Sequence, residues 1–163
     1  MGPWRSWLAR LPVTQEAAGS SPAGPANKTE GGRTMRPSRD FSMLAKGRRP
    51  GLEGYFKSRM EANVARHLDW LLHMGKITEW KYEPDTFWFE SIRRGVRSYT
   101  PDFRIREGER TYYWEVKGYM DPRSATKIKR MRIYHPKVEL HVIGRPEYAA
   151  IAKWSRLMPG WED

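Results

Sequence analysis

The chain contains no cysteine, which removes disulfide scaffolds, thiolate zinc sites and cysteine nucleophiles together. Histidine is scarce: only His67, His73, His135 and His141 are present, so a metal centre built on imidazole is not expected. Any metal would fall to carboxylate oxygens, the ligand type that suits Mg²⁺ or Mn²⁺. Apolar runs are short, and none approaches the roughly 18 residues that a membrane span needs. The amino terminus lacks the apolar stretch of a secretion signal, so a cytoplasmic protein with no membrane partner is expected. Acidic residues are also in deficit, with 19 Asp and Glu against 30 Lys and Arg and a formal net charge of +11. That excess does not specify a fold, but it makes a polyanion the first partner to consider.

The first 50 residues differ from the rest. MGPWRSWLARL spaces Trp4, Trp7, Leu8 and Leu11 as a short amphipathic turn or two. The stretch from Pro12 to Asp40 is rich in Gly, Pro, Ser and Ala and reads as a flexible arm. Lys46, Arg48 and Arg49 close this arm with positive charge. The division expected is therefore an arm over 1–50 and one compact domain over 51–163.

From Phe56 the pattern is regular. FKSRMEANVARHLDWLLHMGK reads as a helix with Ser58 as N-cap and Glu61 at capping-box spacing. Its apolar stripe is Val64, Ala65, Leu68, Leu71 and Leu72, and Gly75 ends it. ITEWKYEP and DTFWFESI read as two strands, RRGVRS as a turn and YTPDFRI as a third strand. REGER then makes a hairpin into TYYWEVKG, the fourth strand. Asp121-Pro122 opens a second helix reaching Tyr134, with Ala125, Ile128, Met131 and Ile133 toward the sheet. VELHVI is a fifth strand and PEYAAIAKWSRLM a closing helix. The β-α-β passage from TYYWEVKG to VELHVI predicts two parallel, central strands. The fold class expected is α/β, a mixed central sheet flanked by helices. Trp70, Trp80, Phe87, Phe89, Tyr113 and Trp114 fit core or interface positions by period, and Phe103 is expected beneath Asp102.

This layout draws four chemically active residues together. Asp102 lies in one strand, Glu115 and Lys117 share a face of the adjacent one, joined to it by a hairpin, and Glu61 lies at the edge of the helical stripe facing the sheet. Carboxylates converging on one point raise each other's pKa, and a divalent cation relieves the repulsion. Asp102 and Glu115 would hold the metal, with Glu61 as an outer or second-metal ligand. Lys117 would orient or help deprotonate a water and stabilise charge growing on a phosphorane. Blander roles exist for each: Glu61 as the acidic member of a capping box, and Glu115 with Lys117 as an exposed ion pair worth little.

Pro101-Asp102 followed by Glu115-Val116-Lys117-Gly118 resembles the PD-(D/E)xK nuclease superfamily. FKSRMEANVARHL, with Phe56, Ser58 and Glu61, is similar to the helix carrying the first acidic residue in phage endonuclease I-type and archaeal-type Holliday junction resolvases. The resemblance spans about residues 55 to 143. It implies a restriction-endonuclease-like core and catalytic roles for Glu61, Asp102, Glu115 and Lys117. It also implies two Mg²⁺ ions, with Mn²⁺ as a substitute, and a homodimer acting on branched double-stranded DNA without a small-molecule cofactor. A phage-infected or prokaryotic cell suits such an enzyme.

Phosphate contact needs cations beside the metals. Arg123, Lys127 and Arg130 on the second helix form one candidate patch. Arg93, Arg94 and Arg97 in the turn before YTPDF form another, and Arg48 and Arg49 of the arm a third. Junction resolution with paired cuts is the activity expected. A flap, nicking or site-specific endonuclease with the same core, or a catalytically inert DNA-binding protein of that fold, is the alternative.

Overall fold

A computed structural model describes residues 46–163. The expected turn around Trp4, Trp7, Leu8 and Leu11 and the arm as far as residue 45 lie outside the described residues. Gly47 and Arg49, assigned to the arm from sequence, are bonded to the folded unit. Gly47 exchanges backbone hydrogen bonds with Phe56 at 3.0 and 3.1 Å, and the Arg49 side chain reaches Glu162 near the carboxyl terminus.

Helix α1 runs from Arg59 to His73 and starts where the capping signal places it. The Ser58 hydroxyl accepts the Glu61 N–H at 3.1 Å, satisfying one of the orphan donors of the first turn. Gly75, at φ +64°, follows the end of the helix, in the left-handed region that favours glycine. The expected stripe is buried at Val64, Ala65, Leu68 and Leu71. Leu72 is instead 41% exposed, and Asn63, Arg66 and His67 are buried in its place. The helix is covered on more than one side, which a single apolar stripe cannot signal.

The main sheet has four strands in the order β1-β4-β5-β6. They are Glu79–Tyr82 (β1), Phe103–Glu107 (β4), Arg110–Val116 (β5) and Leu140–Ile143 (β6). The first three are antiparallel neighbours and β6 is parallel to β5, so the sheet is mixed and flanked by helices. The predicted parallel pair is present, but only β5 is interior; β6 forms an edge. A second, two-stranded sheet pairs Phe87–Trp88 (β2) with Ser98–Tyr99 (β3). The single strand expected over YTPDFRI is thus split. Pro101 has no N–H for a ladder, so Tyr99 pairs with Phe87 while Phe103 pairs with Trp114.

Alternation along β4 and β5 separates two faces. Phe103, Ile105, Tyr112, Trp114 and Val116 are buried on the face toward α1, where the His67 ring stacks over Trp114 at 6.3 Å. The opposite face carries Arg104, Tyr113 and Glu115. Helix α2, Pro122–Tyr134, is capped by Asp121, whose carboxylate accepts the Arg123 and Ser124 N–H groups. It packs Met131 against Phe89 and Tyr99, with Phe87, Ile92, Val96, Val138 and Leu140 around them. Of its expected sheet-facing residues, Ile128 and Met131 are buried, but Ala125 and Ile133 are exposed. The helix rests on the small hairpin β2-β3, so its buried side is turned from the one periodicity suggests.

The chain ends with α3, Arg145–Ala152, and a short 3₁₀ turn at Ser155–Leu157. Glu162 is then clasped onto α1. Its carboxylate meets Arg66 at 2.9 Å and Arg49 at 2.8 Å, and its backbone exchanges hydrogen bonds with the Asn63 amide at 2.7 and 2.9 Å. Gly160 permits the approach: at φ +77° a Cβ there would stand 3.0 Å from Arg66 Nε. Replacing Glu162 by Ala leaves two largely buried guanidinium groups without their carboxylate. The expected loss is roughly 2 kcal/mol, read as a lower urea midpoint with unchanged m-value.

Candidate active site

Strand register brings the first two carboxylates together. β4 and β5 pair Phe103 with Trp114, and one further step sets Asp102 across from Glu115. Residues opposite each other in an antiparallel pair share a face, and like charges there repel. Both side chains are buried, Asp102 at 5% and Glu115 at 3% exposure. Such a pair calls for protons, cations or donors close by.

The surrounding groups supply the donors. Asp102 Oδ2 accepts the Val116 N–H at 2.7 Å. Glu115 Oε2 accepts the Tyr99 hydroxyl at 2.7 Å, and its Oε1 lies 2.8 Å from Lys117 Nζ. Glu115 and Lys117 are therefore not an exposed surface pair. Glu61 does act as a cap: its carboxylate accepts the Ser58 hydroxyl at 3.0 Å and the Lys57 N–H at 2.9 Å. It also accepts the Tyr82 hydroxyl at 2.7 Å, so the capping role and a place beside the sheet coexist.

Electrostatics ties the four residues into one group. Burial holds the Asp102 carboxyl well above the usual range, and the charges of Glu115 and Glu61 push it further in the same direction. The Val116 N–H and Lys117 oppose this only in part. Burial pulls Lys117 down, but Glu115, Asp102 and Glu61 outweigh it and leave the ammonium above the ordinary lysine value. Burial and their carboxylate partners also raise the Tyr82 and Tyr99 hydroxyls, so both remain neutral donors.

Two further charged residues, which sequence reasoning passed over, join the group. Glu83 sits at φ +45° and donates its N–H to the Asp102 carbonyl at 2.7 Å. Its carboxylate is bonded to the Lys57 ammonium, and Lys57 is held above its ordinary pKa despite burial by Glu83, Asp102 and Glu61. Nothing local signals this, because it depends on β1 lying beside β4.

Among the described residues, no group of three or more His, Cys, Asp or Glu side chains is arranged to hold a metal ion. An all-protein cage is therefore not present there. Mg²⁺ ordinarily takes one or two carboxylates and completes its shell with water and substrate phosphate. The opposed Asp102 and Glu115 fit that requirement, while Glu61 is occupied by three donors.

The candidate DNA contacts divide. Arg93, Arg94 and Arg97 are exposed on the β2-β3 turn, which Ile92 and Val96 anchor to the core, and Arg48 and Arg123 are exposed. Lys127 places its ammonium 5.9 Å over the Tyr99 ring, beside the Glu115 partner. Arg130 donates to the Val96 carbonyl, and Arg49 is committed to Glu162.

The chain matches no known family model, no curated protein and no solved structure.

The raised Asp102 pKa has a consequence for stability. The folded state holds the Asp102 proton more tightly than the unfolded chain does. Stability from this group is therefore present at low pH and is lost as pH rises from the ordinary carboxylate range through the folded pKa. In metal-free buffer, Asp102→Asn is expected to melt higher than wild type at neutral pH, with the gap closing toward pH of about 4. Thermal scans across pH check this; a gap that stays constant with pH would contradict it.

Proposed function

We propose that the protein is a metal-dependent DNA endonuclease of the PD-(D/E)xK type, acting as a homodimer on four-way junctions. The observation that carries this reading is the buried, mutually repelling pair Asp102 and Glu115, with Glu61 and Lys117 within electrostatic reach. A purely structural site would gain nothing from facing two carboxylates across adjacent strands. Asp102 and Glu115 would hold Mg²⁺, with Glu61, which keeps its three donors, adding negative charge behind them rather than a ligand. When bound, the metal supplies charge neutralisation at the phosphate and a lowered pKa for water.

The chain's own residues do the rest. Tyr99 and Lys117 each bind one oxygen of Glu115 and hold its carboxylate in one orientation. The Val116 N–H does the same for Asp102. Lys117 carries a raised pKa and stays cationic at neutral pH, which favours stabilising negative charge on the attacked phosphate over acting as a base. Cleavage at the 3′-oxygen leaves 5′-phosphate and 3′-hydroxyl ends. The net charge of +11 supports a polyanionic substrate. Arg93, Arg94, Arg97 and Arg123 are exposed cations suited to the phosphates flanking a cut. Junction preference rests on the basic charge and on the YTPDF and EVKG motifs.

The test is cleavage of a labelled immobile four-way junction beside linear duplex and 5′-flap DNA of matched sequence. Symmetric cuts that need Mg²⁺, vanish in EDTA and fall by at least about 100-fold in Asp102→Asn are expected. Equal cutting of flap or duplex would keep the nuclease and remove the junction preference. Tight binding without any cutting would make the chain a DNA-binding protein of this fold.

A further inference from the structure

We propose that Lys57 is a second phosphate-binding lysine, set at the mouth of the carboxylate site and held there by Glu83 until a DNA phosphate reaches it. This rests on the nuclease reading above and adds a residue to it. Lys57 lies between two fixed points. Phe56 before it is fully buried and bridged to Gly47, and Ser58 after it caps α1. Its own N–H is bonded to the Glu61 carboxylate at 2.9 Å. The backbone is therefore tied to one member of the acidic group, while the side chain is 56% exposed, against 27% for Lys117.

Glu83 is anchored with equal care. Tyr82 before it donates to Glu61 and packs its ring 4.8 Å from that of Phe56. Glu83 then turns at φ +45°, a conformation that non-glycine residues seldom adopt and that the position before Pro84 disfavours further. The turn directs its N–H to the Asp102 carbonyl and its carboxylate to the Lys57 ammonium. A strained residue that positions a cation beside catalytic groups points to use of that cation. An ammonium has three donors, so Lys57 can keep one on Glu83 and offer others outward. The Lys57 half of the pair is open to solvent, which screens its attraction to Glu83, and a phosphate with local negative charge can compete for it. Lys117 faces Glu115 inside the site; Lys57 faces Glu83 at its outer edge. Both lysines thus lie within electrostatic reach of Asp102 and Glu61.

The full chain is assayed in two ways on a labelled four-way junction: binding in EDTA across a NaCl series, and Mg²⁺-dependent cleavage kinetics. For Lys57→Met we expect the slope of log K against log[NaCl] to shrink by about one, with KM raised and kcat near wild type. Lys57→Arg should regain the slope, and Glu83→Gln should tighten binding by removing the competing charge. A Lys57→Met chain that cuts with wild-type KM and keeps the wild-type slope overturns the inference. An unfolding midpoint lowered equally in Lys57→Met and Glu83→Gln, with binding unchanged, overturns it too and leaves a structural ion pair. Both results arise in a wild type that cuts DNA, so they remove Lys57 alone. A wild type that neither binds nor cuts any of the DNAs removes the nuclease reading and this inference with it.

Discussion

Two carboxylates face each other across neighbouring strands in the interior of this protein, and much of the structure around them answers that repulsion. Asp102 and Glu115 share a face because β4 and β5 pair in one register, and that register is set by the tight hairpin at Gly108. A slip of one residue would turn Glu115 to the α1 face and Trp114 away from His67. The apolar pattern of Phe103, Ile105, Tyr112 and Trp114 therefore fixes the carboxylate pair as firmly as it fixes the core.

Having been placed together, the acids are surrounded by donors drawn from most of the fold. Tyr99 comes from the small hairpin, Tyr82 from β1 and Glu83 from the residue after it, Lys117 from the residue after β5, and Lys57 and Ser58 from the approach to α1. Each of these elements also buries apolar residues, so the site's polar contacts share anchors with the core. Phe56 and Tyr82 illustrate the coupling: their rings pack together while the next residues in sequence, Lys57 and Glu83, form the outer ion pair. The proposed nuclease chemistry draws on that arrangement, since an uncompensated acidic pair is a place where a divalent cation and a phosphate gain the most.

The clasp at Glu162 engages another side of α1. By tying Asn63, Arg66 and Arg49 to Glu162, it buries polar positions of a helix whose sequence promises a single apolar stripe. Asn63 and Arg66 are interior for this reason, while His67 is buried against Trp114. Basic residues follow the same logic. Arg49 and Arg130 are bound within the fold, whereas the arginines of the β2-β3 turn are left to solvent, where a polyanion can reach them.

What the sequence determined by itself was local. Ser58 and Glu61 mark the start of α1 because a capping box works within one turn. Asp121-Pro122 marks α2 because a side-chain cap and a fixed φ act on adjacent residues. The hairpin and the period-two pattern of TYYWEVKG set Asp102, Glu115 and Lys117 near one another without reference to the rest of the chain. The tertiary structure alone decided which strands became neighbours. β1 lies against β4, which brings Tyr82 and Glu83 to the acids; β6 lies at an edge; and Pro101 divides one expected strand between two sheets. Those contacts join residues far apart in the chain, and no periodicity encodes them. They depend on how whole elements bury their faces, and so Lys57, Glu83 and the two tyrosines became part of the site only once the sheet was assembled.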